Sequence, residues 1–195
     1  MALAHPSPFL TCTILICISG CTSLKQERPT DWPDVVITNH ECPDISGTYI
    51  NQSERGEPSL FHELTGTERS GLSTWELGEI SIQWIDESRQ TLRLIIDDKR
   101  SGEYEPIVEL LRKSKGDFSC ENGQLLIAYR EKSDLGLVGG VTSGTRRFEQ
   151  AVDGSLLRED RYDVVGQFLG VPSVSSDNRA YYRWPQVSGT AKHDE

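Results

Sequence analysis

From Gly47 onward the chain alternates apolar and polar residues in short runs broken by Gly, Asn, Asp, Ser and Pro. A period of two places successive side chains on opposite faces of a strand. The clearest run, Phe118–Tyr129, has Asn122-Gly123 at its centre, the strongest short-range hairpin signal. A two-residue turn there sets Cys120 opposite Leu125 and Phe118 opposite Ile127, all on one face. Asp153-Gly154 predicts a second hairpin, between Arg146–Val152 and Ser155–Val165. Counted outward from a two-residue turn, it pairs Glu149 with Arg158 and Arg147 with Asp160 on a wet face. Phe148, Val152, Leu157 and Glu159 then share the other face. A third pair joins Glu79–Asp86 to Gln90–Asp97, with Ile80, Ile82 and Trp84 alternating on the first strand and Leu92, Leu94 and Ile96 on the second. Further strands are predicted at Gly47–Asn51, Ile107–Arg112 and Ala180–Trp184. The stretch Glu103–Lys113 also fits a short helix, and Ser59–Leu64 a helical turn. About eight strands with short connections predict an all-β antiparallel meander, closed into a small barrel or packed as a sandwich.

Ahead of this region stands the apolar stretch Phe9–Ile18, followed by Ser19-Gly20-Cys21. It is short of the roughly 20 residues of a spanning helix and suits the core of a signal peptide. The run Ile18-Ser19-Gly20-Cys21 resembles the lipobox of bacterial lipoproteins. That resemblance implies removal of residues 1–20 and lipidation of Cys21. Thr22, where an Asp tends to retain such proteins in the inner membrane, favours the outer membrane and a periplasm-facing domain. The segment before Phe9 has no Lys or Arg, a departure from the usual charged start of a signal. Residues 21–34, polar and carrying Pro29 and Pro33, read as a lipidated tether. Residues 35–195 are long enough for a single β-rich domain with a real core.

The formal charge of −10 lies wholly after the leader. It argues against nucleic acid as a partner and against electrostatic docking on anionic head groups, so the membrane is reached through the lipid. Cys12 and Cys17 leave with the leader and Cys21 is consumed by acylation, which leaves Cys42 and Cys120. In an oxidising compartment such a pair is most simply a disulfide. Two free thiols and a metal pair are the rival readings. His40 beside Cys42 supplies too few ligands for a metal site.

Other chemistry is thin, and neither a cofactor nor a catalytic site is expected. Gly136–Gly144 is glycine-rich but lacks the Lys and Ser/Thr of a phosphate-binding loop, so a flexible connection is expected. Ser176-Asp177-Asn178 matches one element of the penicillin-recognising enzymes without the others and reads as a polar loop. Asp97, Asp98, Glu103 and Glu105 fall where turns are expected and read as solvated. The aromatic residues Tyr49, Trp75, Trp84, Tyr129, Tyr181, Tyr182 and Trp184 either fill a core or border a pocket. Gly47-Thr48-Tyr49 resembles the Gly-x-Trp of the first lipocalin strand, which implies a barrel carrying a small apolar ligand. The phrases Cys42-Pro-Asp-Ile-Ser-Gly-Thr-Tyr49, Asp117-Phe-Ser-Cys120-Glu-Asn-Gly123 and Asp153-Gly-Ser155-Leu resemble those of small proteobacterial lipoproteins of unassigned function. The expectation is a non-enzymatic envelope lipoprotein with a scaffold or interaction role, a protein partner in the envelope and a filled interior. Partner contacts are expected on loops such as Gly66–Thr74 or Gly136–Gly144.

Overall fold

A computed structural model describes residues 23–56, 58–66, 78–96, 106–134, 138–168 and 171–187. Cys21, Trp75 and the carboxylates Asp97, Asp98, Glu103 and Glu105 lie outside them, as does most of Gly66–Thr74. The described residues form nine strands and one short helix: β1 Gly47–Ile50, α1 Leu60–Thr65, β2 Glu79–Trp84, β3 Thr91–Ile96, β4 Ile107–Arg112, β5 Ser119–Glu121, β6 Gln124–Asp134, β7 Val138–Gln150, β8 Leu156–Phe168 and β9 Val171–Trp184. All pairings between them are antiparallel. β1 to β4 form one sheet in chain order and β5 to β9 the other. The sheets do not close into a barrel, and the architecture is that of a sandwich.

The alternation read from the sequence accounts for the core. Ile80, Ile82, Leu92, Leu94 and Ile96 point inward from the first sheet; Leu125, Phe148, Leu156 and Trp184 point inward from the second. Tyr49 is also fully buried, and its hydroxyl donates to the carbonyl of Ile45 at 3.0 Å. Burial pushes that hydroxyl's pKa up. The sheets are laced along one side, where Ile50 N–H donates to Pro185 at 3.1 Å and Val187 N–H to Thr48 at 2.8 Å. Across the sandwich, Cys42 and Cys120 are joined by a disulfide.

The Asn122-Gly123 hairpin has the expected register, with Cys120 opposite Leu125. Both turn residues take positive φ, 52° and 77°, as a two-residue type I′ turn requires. The Asp153-Gly154 hairpin does not. Only Gly154 takes a positive φ there, 84°. Ala151 N–H donates to Ser155 and Gly154 N–H to Ala151, at 2.8 and 2.9 Å. This is a three-residue loop with a glycine bulge, and it shifts the pairing by one residue. Phe148 faces Arg158, Arg146 faces Asp160, and Glu149 faces Leu157. The expected Glu149–Arg158 and Arg147–Asp160 pairs are therefore absent; Arg158 and Asp160 share a face with Phe148, and Glu159 lies on the other, where it pairs with Arg161 at 2.8 Å.

Three further expectations change. The glycine-rich run belongs to β7 from Val138 onward, hydrogen-bonded to β6 and β8 on its two sides. Glycine's weak strand preference is outweighed by that pairing, and the close approach needs it: a Cβ on Gly144 would lie 2.2 Å from the Arg161 carbonyl. Ser176-Asp177-Asn178 lies inside β9 at a bulge opposite Asp163. The stretch read as a tether touches the domain from Leu24, well before Val35: Lys25 pairs in parallel with Arg179, and Val36 N–H donates to Gln150 at 2.8 Å.

Candidate functional site

β6 to β9 are longer than the sheet that covers them, so their inner face continues past the core. The cross-strand register gives its composition row by row. Beyond Leu125, Phe148 and Trp184 come Ile127, Arg146, Asp160 and Ala180, flanked by Arg158 and Tyr182. Then come Tyr129, Gly144, Tyr162 and Asn178. An apolar surface thus turns charged along the two central strands, from Phe148 to Arg146 in β7 and from Leu156 to Arg158 and Asp160 in β8.

Helix α1 sits over this charged zone. Its start is held by Asn51 at the end of β1: the side-chain oxygen accepts from Phe61 N–H at 2.9 Å, and the backbone carbonyl from Leu60 N–H at 2.7 Å. Ser59 is the N-cap, and Gly66 closes the helix in the left-handed conformation, the usual pair of end signals. Trp184 Nε1 donates to Pro58 at 3.3 Å and ties the approach to the helix down onto the sheet. Leu60, Phe61 and Leu64 are buried, and the same turn carries Glu63 inward.

Glu63 bridges two arginines. Its Oε2 lies 2.6 Å from Arg146 Nε and also pairs with Arg158 Nη1. Arg158 turns its Nε to Asp160 at 2.8 Å. Arg146 also pairs with Glu131, which is half in solvent. Glu63, Arg146, Arg158 and Asp160 are all buried. The guanidiniums also lie over aromatic rings: Arg146 is 4.1 Å from the Tyr129 centroid, and Arg158 is 4.1 Å from Tyr182 and 5.3 Å from Trp184. Such contacts gain strength out of water. Burial pushes the Tyr129 and Tyr182 hydroxyls upward in pKa.

A cleft of about 330 Å³ opens over this network, lined by His62, Tyr129, Glu131, Arg146, Asp160 and Tyr162 among others. A second hollow of about 360 Å³ shares His62, Tyr129, Glu131 and Arg146 and runs under the end of α1. His62 Nδ1 is buried and has no hydrogen-bond partner among the described residues. Two cations face three carboxylates, so the floor is close to charge-balanced. Arg146 Nε, Arg158 Nε and Asp160 Oδ1 sit at ion-pair distance but have no hydrogen-bond partner among the described residues, an arrangement able to hold and orient a polar group. Among the described residues no three of His, Cys, Asp and Glu converge in a way that would hold a metal ion.

Asp160 is the member of the network poised to change charge. Burial pushes its carboxyl up to about 6 against the pull of Arg158. Its folded pKa lies above the ordinary aspartate value, so its stabilising contribution is complete below about pH 4 and is lost as pH rises through about 6. A shift of that size corresponds to about 3 kcal/mol. Asp160→Asn cannot ionise, and its stability relative to the parent should improve by up to about 3 kcal/mol between pH 4 and pH 7.5 in urea unfolding. A constant difference across that range would mean that Asp160 titrates as an exposed carboxylate does.

Of the residues singled out by sequence, Tyr129 and Tyr182 line this cleft. Tyr49 and Trp184 belong to the core, and Trp84 packs edge-on against Phe118 at 5.7 Å. Cys42 and Cys120 are brought together by their disulfide, away from the cleft. Glu63, Arg146, Arg158 and Asp160 escape a sequence reading because the assumed turn put the β8 charges on the wrong face. Glu63 comes from a helix without an adjacent charged partner in sequence. Compared with protein families, with curated proteins and with solved structures, the chain finds no match.

Proposed function

We propose that this protein is an outer-membrane lipoprotein, anchored through a lipid on Cys21 and facing the periplasm. Its sandwich works as a non-enzymatic interaction module that takes a polar segment of an envelope partner into the cleft over Glu63, Arg146, Arg158 and Asp160. The observation that carries the reading is the state of this cleft. It is roomy and polar, and the buried Nδ1 of His62 in its lining has no hydrogen-bond partner among the described residues, a group that costs free energy until something bonds to it. A small apolar ligand is the weaker alternative. Covering ion-paired side chains without replacing their water contacts costs about 1–3 kcal/mol per group, and the space between the sheets is taken up by fully buried side chains, Ile80, Ile82, Leu92 and Leu94 from one and Leu125, Phe148 and Trp184 from the other.

Two measurements test this. Cys21→Ala should move the protein from the membrane fraction to the soluble one; a mutant held as firmly as the parent overturns the anchor. For the cleft, crosslinked partners from native envelope are compared by mass spectrometry across variants. Glu131→Lys and Tyr162→Ala, at the cleft's open side, should lower capture of the specific partner about tenfold, while Ile37→Ser on a remote exposed position leaves it unchanged. Equal capture by all of them, or an apolar molecule co-purifying with the parent alone, rejects the polar docking site.

A further inference from the structure

The N-terminal segment meets the sheet with a defined direction. Lys25 pairs in parallel with Arg179 at the free edge of β9. Arg179 N–H donates to Leu24 at 2.9 Å, and Leu24 N–H donates to Asn178 Oδ1 at 2.8 Å. Lys25 also pairs with Asp177 at 2.5 Å. Followed backward, the segment therefore runs the same way as β9 followed backward, toward the β8–β9 turn. Cys21 stands two residues before Ser23, so an anchor on Cys21 can lie no farther than about 7 Å along the chain from Ser23.

One face of the sheet at that end carries a valine row, flanked by the row Arg130, Ser143 and Asp163 on one side and by Gln167 and Pro172 on the other. Lys132, Val141, Val165 and Val174 are successive cross-strand partners in β6, β7, β8 and β9, so their side chains share a face. Val165 and Val174 are exposed, as is Leu24 at the adjoining edge of β9. A shallow hollow beside the row is lined by Val141, Val165 and Pro172. Thr142, next to Val141 in β7, lines the cleft. Adjacent strand residues point to opposite faces, so the valine row and the cleft lie on opposite sides of one sheet.

We infer that, in the anchored protein, the sheet face carrying Val141, Val165 and Val174 rests on the lipid surface and turns the cleft toward the aqueous side. The inference rests on the proposed lipidation of Cys21. The valine row itself contains no carboxylate, Asp163 in the next row accepts from Asp177 N–H at 3.0 Å, and Lys132 has a stem long enough to lie on the apolar surface with its ammonium among head groups. Three valines do not anchor a protein. Tethering makes their contact with lipid an intramolecular event at high effective concentration, and a modest apolar area then suffices to set orientation. Such a posture presents α1 and the cleft to a partner arriving from the periplasm.

The test supplies the anchor chemically, so that its result does not depend on natural acylation. The mature chain, with the Cys42–Cys120 disulfide intact, is coupled through Cys21 to maleimide-bearing lipid in vesicles of phosphatidylethanolamine and phosphatidylglycerol. A fluorophore is clicked onto azidophenylalanine at one of three sites: Gln167→azidophenylalanine on the valine face, Thr142→azidophenylalanine on the cleft face, or Ser88→azidophenylalanine at the β2–β3 turn. Head-group nitroxides should quench the Gln167 site at least about threefold more than the other two. Adding Val165→Asp and Val174→Asp should bring it down to their level. Equal quenching at all three sites, stronger quenching at Thr142, or no effect of the aspartates overturns the orientation. So does shielding of the Gln167 site that rises with protein density instead of lipid contact, which would assign the row to a second copy of the chain. Failure of the natural anchor is read separately, from fractionation of Cys21→Ala.

Discussion

Glu63→Ala is expected to destabilise the fold by about 3–5 kcal/mol, the usual loss when one partner is removed from a buried ion pair. The reason is positional. Glu63 Oε2 faces Arg146 and Arg158 together, and both guanidiniums are buried. Without that carboxylate, two cations share a site with only Asp160 and the half-exposed Glu131 to balance them. α1 is a six-residue element, too short to be stable on its own propensity. Its docking depends on Leu60, Phe61, Leu64 and Glu63. The loss should also be non-additive. Arg158→Met removes one of the stranded cations, and the Asp160 it leaves behind takes up a proton readily because its carboxyl already sits near 6. The double variant Glu63→Ala with Arg158→Met should therefore be more stable than the sum of the single losses predicts, by at least about 1 kcal/mol in urea unfolding. A single-variant loss below about 1 kcal/mol, or strict additivity, would mean that water in the cleft already solvates these groups.

The same network shows where sequence reading stops. Alternation located the strands because one face of each is buried, and a strand with one buried face announces itself residue by residue. Asn122-Gly123 fixed its register because asparagine tolerates the left-handed conformation that a two-residue turn demands of both its residues. Asp153-Gly154 suits two turns equally well. It fits the two-residue turn, and it fits a longer loop in which only the glycine is left-handed, with Asp153 accepting from Ser155 N–H at 3.0 Å. One residue of difference leaves a plausible hairpin either way. The assumed turn even produced attractive opposite-charge pairs, which concealed the fact that Arg158 and Asp160 point inward. The hold of Asn51 on α1 and the bridge from Glu63 to the sheet are contacts between segments far apart in sequence, and no local pattern announces them. Nor does a glycine run declare itself a strand when its reason is the close approach of β8 to Gly144.

Opening the Cys42–Cys120 link should cost the second large increment of stability. The residues are 78 apart in sequence, and a loop of that length corresponds to about 4.5 kcal/mol on the chain-entropy account. What the loop contains decides the consequence. It encloses the whole first sheet together with α1, so the disulfide closes the sandwich opposite the side laced by β1 and Pro185. Cys42 and Cys120 are both buried in the core cluster. Their surroundings are built on the same spot: Trp84 Nε1 donates to the Pro43 carbonyl at 3.2 Å, and its ring packs on Phe118, two residues before Cys120. Cys42→Ala with Cys120→Ala should lower the stability to urea by about 4 kcal/mol while leaving the core's shape, since alanine fits both sites. Trp84 is the local reporter, and its emission should shift to the red at lower denaturant than in the parent. Because Glu63 is carried by α1, inside the enclosed loop, the cleft should loosen with the same transition, which proteolysis at α1 would follow. A loss of less than about 1 kcal/mol, with Trp84 unchanged, would show that packing between the sheets and the β1 lacing already hold the two halves together without the covalent tie.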